Sequence, residues 1–414
     1  MREQCVIVGA GHAGSQAAAS LRQEGYDGQI LLVSDERDLP YHKPPLSKGF
    51  LKSPDSPALV LRNADFYRDN AIEIVYGATV SEIDRQAKTV RLGDAKRLSY
   101  TQLVLATGSR PRLPALSGAT LEGIVSLRTL ADARRLNELL QGASQAVIVG
   151  GGYIGMELAH TLTALGRKVT VLEAAPRVLA RSVAPEVSRH VHERSVAAGI
   201  EIVTGASVAV FEGVHGRVSQ LRLEDGRVFA ADLVILGIGA VPNVELAAAA
   251  GLAAENGAVV DDHMRTSDPA ILAVGDCASF GHWQAGRRLR LESVQNATDQ
   301  AKNAARTIAG RPSPYREVAW FWSDQGDMKL QTAGLALNAD RRVITGSPET
   351  NAFAVYHFRR AELVAVDSVN RPADHMIARK LLAIGINPSE ADVLAGPQRL
   401  KELLSQAPAV LEHS

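Results

Sequence analysis

Cysteine is almost absent: the 414 residues hold two, Cys5 and Cys277, too few for a disulfide framework and in keeping with a reducing compartment. Aromatic side chains make up only 5% of the chain. Neither sign of charge dominates. Forty-five Lys and Arg balance 45 Asp and Glu, which argues against nucleic acid or another bulk polyanion as partner. Long apolar runs are missing as well. The longest uncharged stretch, Leu139 to Met156, carries Gln141, Ser144, Gln145 and five glycines, and reads as a strand entering a glycine turn rather than as a membrane span. The apolar run Cys5-Val6-Ile7-Val8 leaves no room for a secretory signal, so the expectation is a cytoplasmic protein with no membrane association. The 11 histidines show no H-E-x-x-H spacing, and His190-Val191-His192 reads as part of an exposed helix, so no metal is expected. No G-x-S-x-G or Walker A pattern occurs.

What is present is a globular composition, 46% hydrophobic and 22% charged, long enough at roughly 150 residues per domain for two or three cores. Strands and helices alternate, the mark of parallel sheets with covering helices. The first unit is a strand (Cys5–Val8), a glycine turn, a helix (about 13–24) and a strand (Ile30–Val33). The loop Leu39-Pro40-Tyr41-His42-Lys43-Pro44-Pro45-Leu46-Ser47-Lys48 is too rich in proline for a helix or central strand. After a further strand at Leu103–Ala106 the pattern restarts about 140 residues on: strand Ala146–Val149, glycine turn, helix (about 154–165), strand Val169–Leu172. Beyond about residue 317 the character changes. Trp320 and Trp322 appear, and runs such as Phe353-Ala354-Val355-Tyr356-His357-Phe358 read as alternating antiparallel strands. The tail after Leu404 is expected to fray.

Two motifs carry chemistry. Gly9-Ala10-Gly11-His12-Ala13-Gly14 matches G-x-G-x-x-G between a strand and a helix, where a pyrophosphate can sit on unpaired helix N–H groups. Asp35 or Glu36, ending the next strand about 20 residues on, supplies the acid for ribose hydroxyls. Gly150-Gly151-Gly152-Tyr153-Ile154-Gly155 repeats the fingerprint, with Glu173 as its acid. One copy could serve packing alone. Two copies in register, each with an acid, point to two dinucleotides in one α/β chain of Rossmann-like domains, and hence to electron traffic between them.

Several longer segments make the chain resemble flavoproteins of the glutathione-reductase fold: 105–111, ending in Thr107-Gly108-Ser109-Arg110-Pro111; 237–243, opening Gly237-Ile238-Gly239; and 266–276, ending in Val274-Gly275-Asp276. Within that fold, Pro44-Pro45-Leu46-Ser47-Lys48, Glu292-Ser293-Val294-Gln295-Asn296-Ala297 and Trp320-Phe321-Trp322-Ser323-Asp324-Gln325 resemble the bacterial NADH-dependent ferredoxin reductases of oxygenase systems, the putidaredoxin-reductase-like group. The resemblance covers nearly the whole chain. It implies non-covalent FAD on the first fingerprint and NADH, as substrate, on the second.

The same resemblance implies roles. Gly9, Gly11, Ala13 and Gly14 would hold the FAD pyrophosphate and Asp35 the adenosine ribose. Val80 would line the adenine end, Arg128 would help bind the cofactor, Asp276 would bind the ribityl chain, and Val294 would lie beside the isoalloxazine. Lys48 would reach the flavin ring with Glu157 as its partner, and Trp322 would face the flavin; these three are the candidate catalytic residues. Lys43 falls at the cofactor too, although relatives often carry arginine there and lysine cannot form the same bidentate fork. Gly150, Gly152, Tyr153, Ile154, Gly155, Glu173 and Gly239 would serve NADH. Glu157 could instead act only on the dipole of a helix's first turn, and Trp322 could be plain core.

The expected architecture is therefore α/β, with two Rossmann-like dinucleotide-binding domains of glutathione-reductase type and an α+β C-terminal domain. Residues 1–109 and 241–316 would form the FAD domain, 110–240 the NADH domain and 317–414 the third. The expected activity is that of an FAD-dependent NADH:ferredoxin oxidoreductase, passing single electrons to a [2Fe–2S] ferredoxin that feeds a cytochrome P450 or a Rieske oxygenase. Residues 36–60 contain no cysteine, which excludes the dithiol and single-cysteine chemistries known on this fold. The rival readings are a rubredoxin reductase and a redox-gated binding flavoprotein like apoptosis-inducing factor. Between Gly286 and Arg316, seven basic residues (Arg287, Arg288, Arg290, Lys302, Arg306, Arg311, Arg316) face two acidic ones. They are either a solvated face or a docking patch for an acidic ferredoxin. A monomer or weak dimer is expected.

Overall fold

The computed structural model describes residues 3–54, 56–57 and 59–406. The expected fraying beyond Leu404 lies mostly outside them; the last helix runs Pro397–Ser405. The chain packs as two compact units: 1–42 with 58–110 and 241–319, and 43–57 with 111–240 and 320–414.

In the first unit, five parallel strands lie in the order Ile271–Ala273, Gln102–Leu105, Gln4–Val8, Gln29–Val33, Ile72–Val75. Their central members are apolar on both faces, as a strand covered by helices must be, and Cys5, Ile7, Ile30 and Leu103 are fully buried. Helix His12–Gln23 packs on helix Val294–Ile308. Both offer small side chains at the contact, Ala13, Ala17 and Ala18 on one and Ala297, Ala301 and Ala304 on the other, so their backbones can approach closely.

The second unit repeats the arrangement. Parallel strands run in the order Glu201–Thr204, Lys168–Glu173, Gln145–Val149, Leu233–Leu236, Ile124–Ser126. Four of these, all but Ile124–Ser126, follow the same chain logic as in the first sheet. The outermost differs, because it comes from upstream of the unit here and from far downstream there. A five-stranded antiparallel sheet completes this unit, ordered Trp320–Gln325, Met328–Gly334, Glu362–Val369, Ala352–Arg359, Arg341–Ser347.

Three local expectations need correction. The proline-rich loop is partly helical: Pro44–Ser47 forms a 3-10 turn and Gly49–Lys52 a short helix, because proline at the first helical positions forfeits no hydrogen bond. His190 lies on helix Pro185–Ala197 but is buried, with its ring nitrogen 2.8 Å from Asn351 Oδ1. The Phe353–Phe358 run is antiparallel strand yet does not alternate in burial; all six side chains are inside because the sheet is covered on both faces. Among the described residues no helix is long and apolar enough to cross a membrane, and no group of three or more His, Cys, Asp or Glu could hold a metal.

The antiparallel sheet is tied to the 185–197 helix by polar contacts. Asp367, 3% exposed, accepts the Ala184 N–H at 2.7 Å and lies 2.9 Å from the His357 ring nitrogen. Ala184 is the N-cap residue and has no side-chain cap of its own, so the distant carboxylate does that work. Arg342–Glu186 at 3.1 Å and an Arg194–Asp327 pair add exposed links. Asp367→Ala leaves a buried N–H and a buried imidazole without their acceptor and should cost about 2–4 kcal/mol in urea unfolding, with Asp367→Asn costing less. A loss below about 0.5 kcal/mol for the alanine variant would mean that water or a rearranged side chain replaces the contact.

Candidate functional site

The glycine turns are built for close approach. Gly9 and Gly150 take φ of +104° and +112°, and each N–H bonds back to the next strand, at Val33 O and Leu172 O. A Cβ on Gly14 would stand 1.8 Å from the Gly9 carbonyl oxygen, and one on Gly155 2.0 Å from that of Gly150. Packing alone therefore demands these glycines, and a ligand is not needed to explain them. The helix starts carry the further information. Gly11 and Gly152 are the N-cap residues, neither helix has a side-chain cap, and neither has an acid in its first turn. Each helix N-terminus thus lacks a side-chain acceptor or acid of its own, the kind of place where an anion can sit.

In the first unit, Ala13 and Asp276 come together. Gly275, at φ +77°, packs so closely that a Cβ on it would lie 3.0 Å from Ala13 Cβ. The buried amide oxygen of Gln300 accepts the Gly275 N–H at 2.8 Å, while Ser109 donates to Asp276 Oδ2 at 2.9 Å. Val294 opens the 294–308 helix, half-buried, behind the Ser293 cap. Val80 is buried at the start of strand Val80–Asp84. Asp35 is exposed just past strand Gln29–Val33, whereas its neighbour Glu36 accepts a hydrogen bond from Tyr41 at 2.7 Å.

The second unit gathers Lys48, Glu157, Ser47, Ser323 and Asp324. Lys48 Nζ is 2.9 Å from Glu157 Oε1 and 3.6 Å from Asp324 Oδ2. Glu157 is 6% exposed and is the fifth residue of helix Tyr153–Ala164, past the first turn, so the helix dipole does not account for it. Lys43 Nζ is 3.4 Å from the Arg128 carbonyl oxygen, bringing those two candidates together. Trp322 is half-buried and packs at 5.5 Å from Trp320 and 6.4 Å from Phe321. Tyr153 packs on Phe321 with ring centroids 4.3 Å apart and planes tilted by 36°, and burial pushes its phenol up. Ile154 is exposed beside it. Gly239, exposed at φ +105°, accepts the Arg112 N–H through its carbonyl.

Glu173 is clasped by the turn it serves. Its two oxygens accept the Gly151 N–H at 2.6 Å and the Ala175 N–H at 2.7 Å, which fixes a negative charge at the glycine turn. Arg177, the first cation after it, points away and donates to the Ala180 and Val183 carbonyls at 2.7 and 3.0 Å.

The basic stretch is largely spent on internal bonds. Arg290, with a side chain only 8% exposed, pairs with Glu292 at 2.6 Å and donates to the Asp276 carbonyl. Arg288 donates to the Val260 and Ser279 carbonyls, and Arg306 and Arg311 both reach Glu24. A patch of seven free cations is therefore not what this segment forms, although Arg287, Lys302 and Arg316 remain exposed, Lys302 at 3.8 Å from Asp299.

Sequence reasoning missed Ser47, Ser323, Ser109 and Gln300. The two serines at Glu157 stood inside the segments Pro44–Lys48 and Trp320–Gln325, but nothing in a one-dimensional pattern joins residues 47, 157 and 323.

Known proteins resemble this chain over most of its length. Residues 3–301 match the family model described as pyridine nucleotide-disulphide oxidoreductase, and residues 320–404 match one described as reductase C-terminal. Rhodocoxin reductase of Rhodococcus erythropolis is 43% identical over 389 residues, covering 93% of this chain and 91% of its own. Putidaredoxin reductase CamA of Pseudomonas putida is 41% identical over 419 residues, covering 99% and 98%. The crystal structure of the ferredoxin reductase for the CYP199A2 system from Rhodopseudomonas palustris superposes with a TM-score of 0.94 at 42% identity, over 97% of this chain and 99% of that one.

Neither cysteine is placed for thiol chemistry. Both are buried, and burial pushes the Cys5 thiol up to about 12 and raises that of Cys277 as well. The native protein should leave both thiols unreacted with Ellman's reagent at pH 8 and yield two on unfolding. Prompt reaction of either in the folded protein would show a reactive thiolate.

Proposed function

The chain belongs to the pyridine nucleotide-disulphide oxidoreductase family, and we propose that it passes electrons from NADH through bound FAD to a [2Fe–2S] ferredoxin serving an oxygenase. One observation carries this reading. Two helix N-termini without a side-chain cap or a first-turn acid follow two glycine turns in a single chain, while both thiols are buried, which favours electron transfer between two nucleotides over thiol chemistry. The relatives named above, each matched over nine-tenths of its length or more, support the ferredoxin-type acceptor. The cytoplasmic location and the division into an FAD part (1–109, 241–316), an NADH part (110–240) and a C-terminal part (317–414) belong to the same proposal.

When bound, FAD accepts a hydride from the nicotinamide and releases its electrons one at a time. The protein binds, orients and excludes water. Gly9 to Gly14 and the first turn after them would hold the pyrophosphate, Asp35 the ribose and Asp276, steadied by Ser109 and the Gln300–Gly275 bond, the ribityl hydroxyls. Lys43, Val80, Arg128 and Val294 would line the rest. Lys48, tethered by Glu157, would present a fixed cation to the isoalloxazine, and Trp322 an aromatic wall. Gly150 to Gly155 and Glu173 would seat NADH. Steady-state assays test the whole: NADH-driven cytochrome c reduction should depend strongly on added ferredoxin. Equal rates without it, or a dependence met only by rubredoxin, would overturn the ferredoxin assignment.

Cofactor choice follows from Glu173. Its carboxylate, held by two backbone N–H groups, keeps lone pairs for the adenosine ribose hydroxyls. A 2′-phosphate would meet that charge instead, a repulsion of order 4 kcal/mol per unit charge at about 4 Å and an effective dielectric near 20. Even a quarter of this, with the lost hydrogen bond, gives NADH at least a roughly tenfold advantage. Arg177 is turned away and offers no compensation. Glu173→Ala should reduce the preference, and adding Ala174→Arg should shift it towards NADPH. Comparable kcat/KM for the two nucleotides in the unaltered enzyme would refute this role of Glu173.

Docking draws on the cations that remain exposed. Arg287→Glu with Lys302→Glu should raise the KM for ferredoxin several-fold at low salt and spare NADH–ferricyanide activity. The difference should fade as the Debye length shortens to about 8 Å at 0.15 M. Equal damage to both assays would point to a folding defect rather than lost steering.

A further inference from the structure

Glu157 is held by more than the lysine. Ser323 Oγ stands 2.6 Å from its Oε1 and Ser47 Oγ 2.6 Å from its Oε2, so each carboxylate oxygen receives a hydroxyl. The three side chains are 6%, 0% and 5% exposed for Glu157, Ser323 and Ser47. The direction of each bond is set by its surroundings. Gln325 donates its amide to Ser323 Oγ at 3.3 Å, which leaves the serine's single proton for Glu157. Ser47 has the Pro44 carbonyl as an alternative acceptor, but at 3.3 Å against 2.6 Å the carboxylate wins. The backbone of Ser47 is pinned in turn, its carbonyl accepting the Thr161 hydroxyl at 2.8 Å one helical turn beyond Glu157.

We infer that Ser47 and Ser323 are positioning residues that clamp both oxygens of Glu157, fixing the carboxylate so that the Lys48 ammonium is held at one place with donors to spare. A carboxylate with only Lys48 as partner would draw the ammonium into a tighter, rotating pair. With both oxygens occupied by hydroxyls, the lysine meets the clamped carboxylate at one oxygen, 2.9 Å away, which engages one of its three protons. The second carboxylate, Asp324 at 3.6 Å, is half-exposed and cannot replace this clamp. The inference rests on the proposed reading that Lys48 faces the flavin.

The test uses FAD-loaded Ser47→Ala, Ser323→Ala, the double variant, Ser323→Thr and, as reference, Lys48→Met. The readouts are FAD content, flavin midpoint potential, the flavin absorbance band and the single-turnover rate of reduction by NADH. Each alanine variant should retain FAD, move the potential and the band in the direction of Lys48→Met, and slow reduction roughly three- to tenfold, as expected for one charge-assisted hydrogen bond. The double variant should lose more, and Ser323→Thr, which keeps the hydroxyl, should restore potential and rate. Serine variants with wild-type potential and rate beside a shifted Lys48→Met would overturn the clamp while leaving the Lys48 reading intact. An unshifted Lys48→Met would overturn both. If Ser323→Ala fails to take up FAD, Ser47→Ala on the other oxygen decides alone.

Discussion

A carboxylate buried to 6% exposure is the constraint around which one half of this molecule is organised. An unpaired charge at that depth would cost several kcal/mol, so Glu157 can be tolerated only with its donors in place. Those donors come from distant stretches of chain: Ser47 and Lys48 from the proline-rich segment, Ser323 from the first strand of the antiparallel sheet. The helix that bears Glu157 also opens on a glycine turn. Satisfying one charge therefore fixes Ser47 and Lys48, the Tyr153–Ala164 helix and the antiparallel sheet against one another. Asp367 repeats the device further along the same unit, where a buried acid of the sheet caps the 185–197 helix at Ala184. Both contacts specify an arrangement more than they add net stability, since the desolvation of each charge offsets much of the attraction.

The duplicated sheets show how far short-range pattern determines structure. Apolar strands, glycine turns and terminal acids are local features, and the strand–turn–helix–strand unit of each parallel sheet is legible from them, whereas the number and order of the strands is not. The proline-rich segment was misread because proline was treated as excluding helix, whereas a 3-10 turn that begins on proline avoids its penalty. His190 was misread for a different reason. Helical periodicity locates a face but not what covers it, and here a covering sheet supplies Asn351. Likewise a cluster of cations in sequence says nothing about Glu24, Glu292 or the carbonyls that consume Arg288, Arg290, Arg306 and Arg311.

Candidate-site residues divide along the same line. Gly9, Gly14, Gly150 and Gly155 are legible because a local backbone path forbids a side chain there. Lys48 and Glu157 came together only through resemblance, since no spacing rule links positions so far apart in the chain. Ser47 and Ser323 were invisible altogether. A serine has no distinctive propensity, and its role appears only when its hydroxyl is found on a buried charge.

Glu173 illustrates why the packed structure sharpens a motif instead of merely restating it. From sequence it is an acid at a strand end, free to rotate and as able to bind a cation as a ribose. In the structure both oxygens are anchored by N–H groups of 151 and 175, so the charge cannot swing aside, and Arg177 is committed to its own loop. A flexible acid could yield to an incoming phosphate at small cost, whereas an anchored one keeps its full repulsion and its remaining lone pairs in fixed directions. On the proposed reading, discrimination between two nucleotides differing by one phosphate would depend less on which residue ends the strand than on how little freedom its neighbours leave it.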